Sequence, residues 1–129
     1  MTIAVLCGGD SPEREVSLRS GAAAAAALRR GSHRVVRLDP ARRGFPARLM
    51  RLRPACAFIA LHGGDGEGGP VQGLLETLGI PHTGAGTLSS ALCLHKILSK
   101  RILGSYGIPT PDFVEVEGGR PPARLPFPL

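Results

Sequence analysis

Two short apolar runs set the terms on which this chain can fold. TIAVLC (Thr2 to Cys7) leads straight into a glycine pair, and ACAFIAL (Ala55 to Leu61) does so after one residue. A strand with one face in water alternates apolar and polar side chains. A run without alternation belongs to a strand covered on both faces, the usual state inside a parallel sheet. HRVVRLD (His33 to Asp39), stopped by Pro40, reads as another strand. EVSLRSGAAAAAALRR, from Glu15, reads as a helix ended by Gly31, since alanine has the highest helix propensity and its small side chain suits close packing on a sheet. ARLMRLR is a short helix. GPVQGLLETLG is another, with Pro70 at its start and Gly79 at its end. IPHTG is a short extended piece, and TLSSALCLHKILSKRILGSYG is one or two helices opened by Thr87 as N-cap. Strands alternating with helices predict an α/β fold, a Rossmann-like parallel sheet with helices on both faces.

The chain has 129 residues, enough for one core but not two. Its formal charge is +6, with nine arginines between Arg29 and Arg53. Such charge can neutralise nucleic-acid phosphates. Aromatic residues are only 4%, however, and no nucleic-acid motif accompanies the arginines, which fits a solvated basic face. The three cysteines, Cys7, Cys56 and Cys93, are odd in number and widely spaced. That argues against a disulfide framework or a zinc site and for a reducing, cytoplasmic setting. No apolar run has the length of a membrane span, and the first residues lack the pattern of a secretory signal, so no membrane partner is expected.

Parallel sheets bind ligands beyond the carboxyl ends of their strands. That rule selects two loops, CGGDSPEREVSLRSG (7–21) and LHGGDGEGGPVQG (61–73). In the first, Asp10 or Ser11 would cap the coming helix, with Glu13 at or just before its first turn. A lone carboxylate there can simply complement the helix dipole. The second loop sets His62, Asp65 and Glu67 among five glycines, more chemistry than a flexible turn needs. A metal held by His62, Asp65 and Glu67 would lack a second ligand motif. A small polar site fits better, with Glu13 and Glu67 attracting a cation and His62 orienting one of them.

These same stretches carry a resemblance. IAVLCGGDSPEREVSLRSG resembles the opening of the D-alanine–D-alanine ligases. FIALHGGDGEGGPVQGLLETLGIPHTGAGTLSSALCLHK continues the likeness in order and spacing, and GIPTPDFVEV resembles the link into the family's ATP-grasp region. The resemblance implies an ATP-dependent cytoplasmic ligase that makes the D-alanine dipeptide for peptidoglycan, and so serves cell-wall biogenesis and cell shape. It implies a pre-ATP-grasp domain. Glu13 would be the catalytic-site glutamate that holds the ammonium of the first D-alanine. Val16 and Ser17 would lie beside that substrate, His62 near its carboxylate, and Glu67 in the acidic element of the loop. Lys96 would reach the ATP phosphates, as a compact point charge can. The chain departs from the family pattern at Gly68, where an acidic residue is usual, at Pro70 in place of threonine, and at His95 in place of aspartate.

The resemblance further implies residues 1–107 as a substrate-binding domain and 108–129 as the start of an ATP-grasp region that is itself missing. The stretch IPTPDFVEVE would begin extended and offer a strand from Asp112, and GGRPPARLPFPL reads as linker. Exposed apolar surface is expected near Phe113, Phe127 and Leu129. The ATP-grasp subdomains and most Mg²⁺ ligands would lie in the missing region, so these 129 residues alone are not expected to ligate. Three alternatives stay open: a non-catalytic small-molecule-binding module, a dimerisation module, and a related D-alanine–D-lactate or D-alanine–D-serine ligase. The full-length form is expected to be a homodimer.

Overall fold

The first strand is the middle one of the three described strands. In a computed structural model, which describes residues 1–116, β1 (Thr2–Leu6) lies between β2 (Arg34–Leu38) and β3 (Cys56–Ile59) in one parallel sheet. Ala4 stands between Val36 and Ala57, and Leu6 between Leu38 and Ile59. The unbroken apolar run is thus explained, because β1 buries both of its faces. Ala4 and Leu6 enter one core with Leu38, Phe45, Leu49, Leu61, Val71, Leu75 and Ile80. Val5 and Cys7 enter the other with Ala25 and Ala60. The IPHTG segment adds one more parallel bridge, between Ala57 and His82.

The second core lies under α1 (Arg14–Arg30). Its buried residues, Ser17, Gly21 and Ala25, recur every four positions and form a stripe of small side chains. Of the run Ala22–Ala27 only Ala25 is buried, so most of those alanines serve helix propensity rather than packing. The other face of the sheet is covered by α2 (Phe45–Leu52) and α4 (Pro70–Thr77). The former starts two residues earlier than the ARLMRLR pattern suggests. Phe45 and Leu49 are both buried and four apart, with Pro46 in the first turn.

Two further elements refine the expectation. A four-residue helical turn, α3 (Gly64–Glu67), forms inside the glycine-rich loop. The last helical pattern is two helices, α5 (Thr87–Leu94) and α6 (Lys96–Ser105). Thr87 does not act as a side-chain N-cap. It is the first helical residue, and its N–H and O–H both donate to the Glu76 carboxylate at 3.0 and 2.7 Å. Those bonds, the hydroxyl's first, hold the Glu76 carboxyl below its ordinary value.

The chain divides into two compact units, Met1–Leu94 and a second that begins at His95. In the second, the His95 ring Nδ1 accepts the Leu98 N–H at 3.3 Å and caps α6. Further on, Lys100 Nζ lies 5.2 Å from the centre of the Phe113 ring and donates to the Pro111 carbonyl. Residues 112–116 do not form the strand expected from Asp112, since no ladder partner meets them among the described residues. Phe113 is 40% exposed, as anticipated. The whole of the proposed linker, with Phe127 and Leu129, lies outside the described residues.

Gly21 lets α1 pack tightly against the end of β1. A Cβ there would sit 2.3 Å from the Cys7 Cβ. Alanine would gain roughly 1 kcal/mol of helix propensity, but overpacking a full core costs about 1–3 kcal/mol. Gly21→Ala is therefore expected to lower stability in urea unfolding, and a stabilised variant would contradict this packing.

Candidate functional site

The loop leaving β1 is fixed by a residue from the next strand. Gly8 and Gly9 both have positive φ, +100° and +80°, and a Cβ on Gly8 would lie 2.6 Å from the Asp39 Cγ. Asp39, just past the end of β2, accepts the N–H of Gly9 and that of Ala41 at 3.0 Å each. Its other oxygen accepts from Arg14 Nη2 at 2.7 Å, and the second Arg14 nitrogen donates to the Gly9 carbonyl. Burial by itself would raise the Asp39 carboxyl, but the guanidinium and the two amides outweigh it and hold the carboxyl below its usual range. Arg14 therefore shapes the turn rather than serving as a solvated charge between two glutamates.

Neither Asp10 nor Ser11 caps α1 with its side chain, and Glu13 occupies the N-cap position. Ser11 instead works between the two loops. Its hydroxyl accepts the Glu13 N–H at 3.2 Å and donates to the His62 carbonyl at 2.6 Å. This places Glu13 beside the second loop, where a Cβ on Gly63 would fall 2.7 Å from its Oε2. Gly63, at φ +66°, is thus needed both for its backbone path and for the room it leaves the carboxylate.

Ser17 and Val16, paired by the resemblance, differ in kind. Val16 is 44% exposed, while Ser17 is fully buried. The Ser17 hydroxyl accepts the Gly8 N–H at 2.8 Å and donates to the Ala60 carbonyl at 2.6 Å. These two bonds join the ends of β1 and β3.

His62 leaves β3 with its ring between two partners. Nδ1 is 3.9 Å from Glu67 Oε1, and Nε2 is 3.4 Å from Ser20 Oγ. Glu67 reaches that position because α3 coils the loop back, with the Gly68 N–H bonded to the Gly64 carbonyl at 2.9 Å. A Cβ on Gly66 would stand 2.4 Å from the Leu61 Cβ, so only glycine allows this turn to lie on the end of the strand. Glu13, His62 and Glu67 thus meet around one pair of loops. Lys96 opens α6 in the second unit. Asp65 is exposed, and no group of three His, Cys, Asp or Glu among the described residues could hold a metal.

Beyond the strand ends lies a cleft of about 200 Å³, bounded by Gly9, Ser11, Ala41, Phe45, His62 and Val71. Its Ala41–Phe45 wall, the Arg14–Asp39 pair and Gln72 were missed in the sequence. Asp39 at the end of a strand was the one available signal, because that strand end belongs to the same edge as the other two loops.

No family model matches the chain. Over 118 residues it is 52% identical to the D-alanine–D-alanine ligase of Moorella thermoacetica, which is 92% of this chain and 38% of that protein. It is 50% identical to that of Coprothermobacter proteolyticus over 116 residues, 90% of this chain and again 38% of the relative. The chain therefore spans little more than a third of these relatives' length. Among solved structures, the Bacillus anthracis D-alanine–D-alanine ligase complexed with ATP matches with a TM-score of 0.80 and 38% identity, covering 99% of this chain and 43% of that one. D-alanyl-alanine synthetase A from Vibrio cholerae matches with a TM-score of 0.72 and 28% identity, covering 84% and 39%. The resemblance carried by the two loop motifs is borne out, as is the α/β fold.

The Asp39 carboxyl is depressed in the folded state, so it stabilises above its unfolded value and loses that contribution as pH falls through the folded one. Asp39→Asn is expected to flatten the acid limb of stability measured by urea unfolding between about pH 2 and 6. At pH 7 it should cost about 1–3 kcal/mol, chiefly from the weakened bonds to the two loop amides. An unchanged acid limb would mean that another carboxylate dominates it.

Proposed function

We propose that this chain, a member of the D-alanine–D-alanine ligase family through its match to their N-terminal part, supplies the subsite for the first D-alanine of an ATP-dependent ligation. The observation that supports this reading is the meeting of Glu13, His62 and Glu67 around Gly63, beyond the carboxyl ends of β1 and β3. In this reading Glu13 is the anionic partner of the substrate ammonium, and His62 faces the carboxylate end. Glu67 and Ser20 orient the His62 ring. Exposed Val16 offers an apolar contact for the substrate methyl, and Ser17 holds the floor on which they stand.

Activation of a carboxylate by ATP, followed by attack of a second amine, is the reaction class this subsite would serve. Its barrier is lowered by fixing the reacting groups and neutralising charge on transferring oxygens. Lys96 is the residue of this chain assigned to the ATP phosphates. The described residues give Mg²⁺ no ligand set, so no metal-dependent step is assigned to them. The boundary of the substrate domain is placed near residue 107, and the whole enzyme is taken to work as a homodimer in the cytoplasm. No disulfide forms among the described residues, in keeping with such a reducing compartment, and no helix among them is long and apolar enough to cross a membrane.

Titration calorimetry with D-alanine tests the subsite directly. The 129-residue chain should bind D-alanine in preference to L-alanine and leave ATP unhydrolysed. Glu13→Gln should weaken binding at least tenfold, about 1.4 kcal/mol. Binding that ignores Glu13→Gln would remove that residue from the subsite. No binding, together with dimerisation in sedimentation, would favour an association module instead.

A further inference from the structure

Gln72 sits where the fold would be better served by an apolar side chain. It lies on α4 between Val71 and Leu75, which belong to the core, and is only 5% exposed. Its Nε2 donates to the Gly66 carbonyl at 2.9 Å. Its Oε1 is buried and has no protein partner among the described residues. A buried oxygen left without a partner costs more than one ordinary hydrogen bond returns. On stability alone, a side chain of the same shape without polar atoms would be at least as good.

The bond is informative because of what it holds. Gly66 is the middle of α3, the four-residue turn whose last member is Glu67. The turn has one internal bond of its own kind, from the Gly68 N–H to the Gly64 carbonyl, beside that from Gly66 N–H to Gly63. A helical turn this short does not persist in water by itself. Three of its four neighbouring backbone positions are glycines, which raise the entropy of the unfastened loop. An anchor from a rigid helix is what such a segment lacks. Gln72 supplies it, and Glu67 thereby stays opposite the His62 ring at 3.9 Å.

We infer that Gln72 is a positioning residue, retained at some expense of stability to keep the α3 turn formed so that Glu67 faces His62. Its effect on D-alanine binding rests on the function proposed above, whereas its effect on the turn does not.

The two are separable in one set of measurements on the 129-residue chain and its Gln72→Met variant. Methionine keeps the length and volume of the side chain and removes both polar atoms. Thermal unfolding is expected to be unchanged within about 2 °C or raised. Amide exchange at Gly66 and Gly68 should accelerate at least tenfold, while core amides such as those of Ala4 and Val5 keep their protection. D-Alanine affinity should fall about three- to tenfold. Gln72→Glu provides the rescue: its carboxylate cannot donate to the Gly66 carbonyl at neutral pH, but its protonated form can, so protection at Gly66 and Gly68 should return on acidification. A Tm lowered by several degrees with protection lost throughout would show a merely structural role and overturn the inference. Unchanged exchange at Gly66 and Gly68 would overturn it equally. If the parent chain binds no D-alanine, the proposed function fails, and the exchange and unfolding data still decide the role of Gln72.

Discussion

One buried hydroxyl ties the site to the fold. Ser17 Oγ takes the Gly8 N–H and gives its proton to the Ala60 carbonyl, at 2.8 and 2.6 Å, with no exposure to solvent. Those two backbone groups belong to the segments that leave β1 and β3, so the bonds set how far apart the two loops begin. In a dry environment a hydrogen bond is both stronger and more costly to leave unmade. Everything beyond the strand ends is built from this spacing. The Ser11 bridge to His62, the Glu13 carboxylate over Gly63 and the close seat of α3 on Leu61 all require the two loops to arrive together.

The loops are fastened in a way opposite to the one their composition suggests. Glycine-rich segments lose more freedom on folding than others, and here each is fastened by a side chain from outside it. Asp39 and Arg14 hold the first, while Gln72 holds the second. Glycine is present for room: an Asp39 carboxylate stands where a side chain on residue 8 would go, and Leu61 where one on residue 66 would go. The acidic and basic groups of PEREV accordingly divide their work. Glu13 faces the second loop, and Arg14 turns back to the end of β2.

Much of this was legible in the chain itself. The unbroken runs at 2–7 and 55–61 announced strands covered on both faces, and the two motifs that follow them located the edge where chemistry could occur. His62, Asp65 and Glu67 stood out because a flexible turn with five glycines needs none of them. What escaped was whatever depends on partners distant in sequence. Asp39 and Arg14 are 25 residues apart and Ser17 and Ala60 are 43 apart, and no local pattern records such contacts. Thr87 looked like a cap because its residue type favours that position. Glu76, on the neighbouring helix, took its N–H and O–H instead. His95 could be noticed as a departure from aspartate, but its service as an N-cap acceptor depends on ring orientation.

The sheet order has a consequence for how such a chain is made. Its central strand leaves the ribosome ahead of both its neighbours, and it pairs with β2 only after Leu38 has emerged and with β3 after Ile59. Until then a fully apolar segment has neither of its partners. Closing the loop from Ile3 to Cys56 must precede the contacts that compensate for it. The nascent chain therefore carries this apolar segment at first without its strand partners, and α1, which can form locally from its own alanines, emerges early enough to cover one face of it.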